Sequence, residues 1–83
     1  MWTVRTDLDP TSGLGKITQE CLGRLYTEYS YPSEEQAVYQ GRHSFCLNGV
    51  LLVQVFDPEG NVAYSCSSSD GYWREHDAYT SRH

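Results

Sequence analysis

The sequence predicts a small α+β domain in which a three-stranded antiparallel sheet carries two helices packed on one face. Three observations lead there. Val50 to Ser67 reads as a β-hairpin, Met1 to Leu8 alternates with period two, and two segments between them repeat apolar residues at helical spacing. A chain of 83 residues makes one domain. At that length only about 60% of the unfolded surface can be buried, so the margin of stability is thin.

The first strand covers Met1 to Leu8. Trp2, Val4, Thr6 and Leu8 fall on one side and Thr3, Arg5 and Asp7 on the other, as suits a strand with one face on a core. Asp9-Pro10-Thr11-Ser12-Gly13 follows as a loop that leads into a helix start.

From Gly15 to Ser30, Ile17, Cys21, Leu22, Leu25, Tyr26 and Tyr29 recur at helical spacing, while Lys16, Glu20, Arg24 and Glu28 form a ladder of alternating charge. Each such pair adds about 0.2–0.5 kcal/mol to a helix. Gly23 costs up to about 1 kcal/mol inside it. The rival is a strand over Arg24 to Tyr31, with Leu25, Thr27, Tyr29 and Tyr31 on one face.

Pro32 then closes that segment, and Ser33 with Gln36 forms a capping box for the second helix. Glu34 and Glu35 meet its positive end. Ala37, Val38, Gly41 and Phe45 line its inner face. The helix either stops at Gly41, leaving His43 to Leu47 as a strand, or runs to Leu47 with Asn48-Gly49 as its cap. The i, i+4, i+8 register of Ala37, Gly41 and Phe45 favours the longer form.

The hairpin is the most legible element. Val50 to Phe56 is apolar except for Gln54 and rich in β-branched residues, which marks an interior strand. Asp57-Pro58-Glu59-Gly60-Asn61 turns it into a strand in which Val62, Tyr64 and Cys66 alternate with Ala63, Ser65 and Ser67. After the loop Ser67 to Gly71, residues 68–83 form a segment rich in aromatics that docks on the domain or on a partner. If helical, it places Tyr72, His76 and Tyr79 on one face beside Trp73.

Composition narrows the function. Lys+Arg number 6 against Asp+Glu 11, a net charge of −5. Arg5, Lys16, Arg24, Arg42, Arg74 and Arg82 are scattered, so no basic stripe is available to neutralise phosphates and direct nucleic-acid binding is disfavoured. The acidic balance suits a soluble protein or one that meets a basic surface. Three cysteines without close spacing do not describe a disulfide framework. The opening Met-Trp-Thr-Val has neither a basic nor an apolar leader region, and no apolar run approaches the length of a membrane span. The expected location is the cytoplasm.

Chemical motifs are weak. His43-x2-Cys46 is the one close pair of metal-ligand types, with Cys21, Cys66 and His76 as further donors; zinc sites usually begin with a close pair such as C-x2-C on a turn, whereas this pair sits in an apolar context where a buried thiol is common. Ser65 to Ser69 with His43 or His76 and Asp70 or Asp77 offer the parts of a nucleophilic site, but not in a recognisable elbow. Gly13-Leu14-Gly15-Lys16 lacks the spacing of a phosphate loop. No cofactor is expected.

The reading that remains is a non-enzymatic protein-binding module. Seven tyrosines exceed what so small a core can hold, and Tyr, Trp and Arg dominate interface hot spots. Tyr72, Trp73 and Tyr79 are the expected anchors, and Glu34, Glu35, Asp57 and Glu59 the charges that mimic a phosphate backbone toward a basic groove on a larger protein. Size and acidity together suit an accessory protein of a phage or mobile element that inhibits host defence, of the anti-CRISPR type. The alternatives are a small metal- or thiol-dependent regulator using His43, Cys46 and Cys66, and a self-assembling module, for instance a homodimer closing the hairpin edge against a second copy.

Overall fold

The computed structural model describes residues 1–76. In chain order the elements are β1 (Trp2–Leu8), α1 (Gly13–Leu22), β2 (Tyr26–Tyr31), α2 (Glu34–Phe45), β3 (Val50–Phe56), β4 (Val62–Ser67) and β5 (Trp73–Glu75). All pairings are antiparallel, and the strands lie in the order β2-β1-β3-β4-β5. The class is α+β as expected, but the sheet has five strands and not three.

The first additional strand is β2, where the helix was expected to continue. Gly23 stops α1: it takes a left-handed φ of 70° and its N–H bonds Gln19 O, a conformation that most side chains resist. The charge ladder is cut at that point. Arg24 Nε instead donates to Tyr26 O at 3.1 Å. Beyond it, Tyr26–Tyr31 pairs along the whole of β1, from Trp2↔Tyr31 to Asp7↔Tyr26. A few tenths of a kcal/mol per surface ion pair cannot hold a helix against a full sheet ladder formed by β-favouring residues.

The second addition is β5. Trp73 and Glu75 pair with Cys66 and Tyr64 of β4, so the expected helical face joining Tyr72, His76 and Tyr79 does not form. Tyr79 lies outside the described residues.

The N-terminus of α2 follows the sequence closely. Ser33 Oγ accepts from Gln36 N at 3.2 Å, although the Gln36 side chain meets the Ser33 hydroxyl, at 3.5 Å, and not its amide. The helix continues through Gly41 to Phe45 and is capped by Cys46, so residues 42–47 do not form a strand. It packs mainly on β1 and β3. Ala37, Val53 and Val55 are wholly buried there, with Val4, Leu8 and Val50 completing the core. Burying each of the valines contributes about 1.5–3 kcal/mol.

Gly41 matters for close approach. A Cβ on it would stand 3.0 Å from the Trp73 ring and 3.1 Å from Val55 Cγ2, so its lack of a side chain lets the indole of β5 slide beneath α2.

Both edges of the sheet are blunted. Leu8 N bonds Leu25 O, so by alternation Tyr26, Glu28 and Ser30 turn their backbone groups outward on β2. Arg24 covers the Tyr26 carbonyl and Pro32, next in that series, has no N–H. The other edge, β5, is three residues long. The hairpin itself is interior, with β3 flanked by β1 and β4 flanked by β5. Neither of its edges is free to close against a second copy.

Candidate functional site

Antiparallel register gathers several acidic segments at one end of the sheet. Trp2 opposite Tyr31 and Thr3 opposite Phe56 bring the start of β1, the end of β2, the start of α2 and the β3–β4 turn together. That end carries Glu34 and Glu35 on the first turn of α2, Asp57 and Glu59 in the hairpin turn, and Glu75 opposite Tyr64. Apart from β5, where Arg74 precedes Glu75, these segments contain no Lys or Arg.

Tyr64 senses the resulting field. Its hydroxyl donates to Glu34 Oε2 at 3.3 Å. Burial, followed by the negative charges of Glu34 and Glu75, pushes its phenol up to about 12. Two of the carboxylates therefore act on one half-buried ring.

The acids are not equivalent. Asp57 is only 5% exposed, and its Oδ1 accepts the amides of Glu59 and Asn61, each at 2.9 Å. Asp57 holds the turn that presents Glu59, which is exposed. Glu34 is half-buried against Tyr64, while Glu35 is exposed.

Of the aromatic residues expected as anchors, Tyr72 and Trp73 lie among the described residues. Tyr72 is 69% exposed and follows the β4–β5 turn, at the opposite end of β4 from Glu59. Six residues of extended strand separate the two ends by roughly 20 Å. Trp73 is half-buried on the sheet. It stacks on Tyr64, ring centroids 5.8 Å apart, and the Arg42 guanidinium lies 5.3 Å from the centre of its ring. Its Nε1 is buried, with no hydrogen-bond partner among the described residues. Tyr72 and Glu59 thus lie at opposite ends of β4, and Trp73 packs β5 onto the domain.

Two clefts flank α2. Because α2 leans on β1 and β3, the side of β2 that faces the helix layer extends beyond it as a shelf. At the acidic end a cleft of about 400 Å3 is lined by Tyr31, Glu35, Gln36, Tyr39 and Gln40. At the other end one of about 200 Å3 lies among Thr6, Leu8, Leu14, Thr18, Thr27 and Leu47. Sequence reasoning missed the first cleft. Its signal was present in Glu35 and Tyr39, and in Gln36 and Gln40, both i, i+4 pairs on the polar side of the helix.

The remaining chemical groups are dispersed. Ser65 Oγ and His76 Nε2 are 2.7 Å apart, a distance suited to a nucleophile and its base. His76 N also bonds Ala63 O at 2.9 Å, so the two bonds fasten the end of β5 to β4. Cys21 and Cys46 are exposed and Cys66 is buried in β4. Burial pushes the Cys66 thiol up, which leaves it protonated and unreactive. Among the described residues, no three His, Cys, Asp or Glu side chains come together as a metal site, and no helix is long and apolar enough to cross a membrane. No family model matches the chain, and no curated protein or solved structure is matched by it.

Proposed function

We propose that the protein is a non-enzymatic binding module whose acidic end docks on a basic surface of a larger protein. The observation that carries this is the segregation of charge: five carboxylates share the hairpin end, four of them in segments without Lys or Arg. Like charges held together raise one another's energy, and a cationic partner relieves that cost on binding. Glu35 and Glu59 are the exposed contacts, Glu34 and Glu75 deepen the field, and Asp57 fixes the turn.

Occlusion of a nucleic-acid groove by such a surface would suit a phage or mobile-element inhibitor of host defence, of the anti-CRISPR type. The test is comparative capture from a host lysate using the intact protein and the double variant Glu35→Lys/Glu59→Lys, both shown to be folded by circular dichroism. A partner held by the first, released by raised salt and lost by the second is the expected result. Equal retention by both proteins would refute docking through this end.

A further inference from the structure

We infer that the cleft between the first turns of α2 and the end of β2 is a receptor for a single arginine side chain of the partner. The inference rests on the docking proposed above, and it names the chemistry that one part of that end recognises.

The lining is what a guanidinium needs. Tyr31 and Tyr39 supply two aromatic rings, and a guanidinium is attracted to the face of such a ring. Glu35 supplies a carboxylate that accepts two parallel N–H bonds in the planar fork geometry peculiar to arginine. Gln36 and Gln40 supply amide oxygens for the remaining donors. No cation lines the cleft, and Glu34 adds a second negative charge beside Glu35 on the same turn.

The site is also prepared. Tyr39 stacks on His43 one turn further along α2, with ring centroids 5.0 Å apart and planes 24° from parallel. One ring is thus held in place before a ligand arrives, and the ordering cost on binding falls accordingly. A volume near 400 Å3 accommodates a guanidinium and the stem behind it. A lysine ammonium would satisfy the charge but would neither stack flat on the tyrosines nor engage Glu35 through two bonds.

The test uses the intact chain, proton–nitrogen and aromatic NMR spectra, and three probes: a doubly blocked arginine amide, its uncharged citrulline counterpart, and the blocked lysine amide. Arginine is expected to shift the signals of Tyr31, Glu35, Gln36 and Tyr39 in a saturable manner. Citrulline should produce no shift there, and lysine should bind at least threefold more weakly than arginine. Glu35→Gln and Tyr39→Ala, both exposed positions, should each weaken arginine at least threefold while leaving the remaining spectrum in place. Citrulline binding as well as arginine, or lysine binding more tightly, overturns the assignment. A blocked tetra-arginine peptide separates this inference from its foundation. If its shifts spread over Glu59 and Glu75 and spare the cleft, the arginine receptor is wrong and acidic docking stands. If neither peptide nor amide binds, both fall.

Discussion

The two turns that bound β4 are built around the same device and leave the molecule in opposite electrical states. In the β3–β4 turn Asp57 accepts two amides and is almost wholly buried. In the β4–β5 turn Asp70 accepts the amide of Tyr72 at 3.1 Å and the Arg74 guanidinium at 2.6 Å. The second turn therefore pairs its carboxylate with an arginine, whereas the first shares its end of the sheet with Glu34, Glu35, Glu59 and Glu75. A turn needs one carboxylate to organise its backbone. Of the others at the hairpin end, Glu34 also serves the fold by accepting the Tyr64 hydroxyl, while Glu35 and Glu59 are exposed where a partner can use them.

The comparison breaks most visibly at Trp73. If the indole belongs to the fold, Trp73→Ala costs about 3 kcal/mol and urea denaturation shows a lowered midpoint whether or not a partner is present. If it were an interface anchor, stability would stay near that of the parent and only binding would suffer. Asp57→Ala comes next. Removing a charged acceptor from two amides costs about 2 kcal/mol, so by the same assay a residue placed at the docking end behaves as part of the scaffold. Glu35→Lys and Glu59→Lys, by contrast, should change stability by no more than about 0.5 kcal/mol.

Titration sharpens the same contrast. Tyr64 near the acidic end has its phenol raised from 10.0 to about 12, so its contribution to stability is full below pH 10 and is lost as the pH climbs toward 12. Tyr64→Phe should flatten that alkaline decline in a pH series of unfolding midpoints. At the other end, the hydrogen bond from Arg74, followed by that from the Tyr72 amide, holds the Asp70 carboxyl below its ordinary value. Its contribution is present above the ordinary carboxylate range and is lost as pH falls through it. Asp70 is open to water, so the effect of Asp70→Asn should be the smallest of the series and should shrink further in salt.

What the sequence made legible follows from how local each determinant is. The hairpin with its Asp57 to Asn61 turn, the period-two strand at the N-terminus, and the Ser33 cap are encoded within a few residues, and each appears where expected. The sheet was underestimated for non-local reasons. Tyr26–Tyr31 carries helical and strand periodicity at once, and only the availability of β1 as a partner, together with the left-handed Gly23, decides between them. Trp73–Glu75 is too short to announce itself. It becomes a strand because β4 has an unpaired edge and Gly41 makes room for the indole. The candidate site was legible in its residue types and not in their arrangement. Nothing local reveals that Glu34 and Glu59 share an end while Tyr72 lies at the other, because antiparallel register alone puts them there.

The most direct test of docking through the hairpin end is carboxyl footprinting. The protein, alone and in the captured complex, is labelled with carbodiimide and an amine, and each acid is quantified by mass spectrometry. Docking through the hairpin end predicts that labelling of Glu35 and Glu59 falls in the complex, while Asp9, Glu20 and Asp70 label as they do in the free chain. Protection of Asp9, Glu20 or Asp70 with Glu35 and Glu59 unchanged would contradict it, and would move the interface away from the hairpin end.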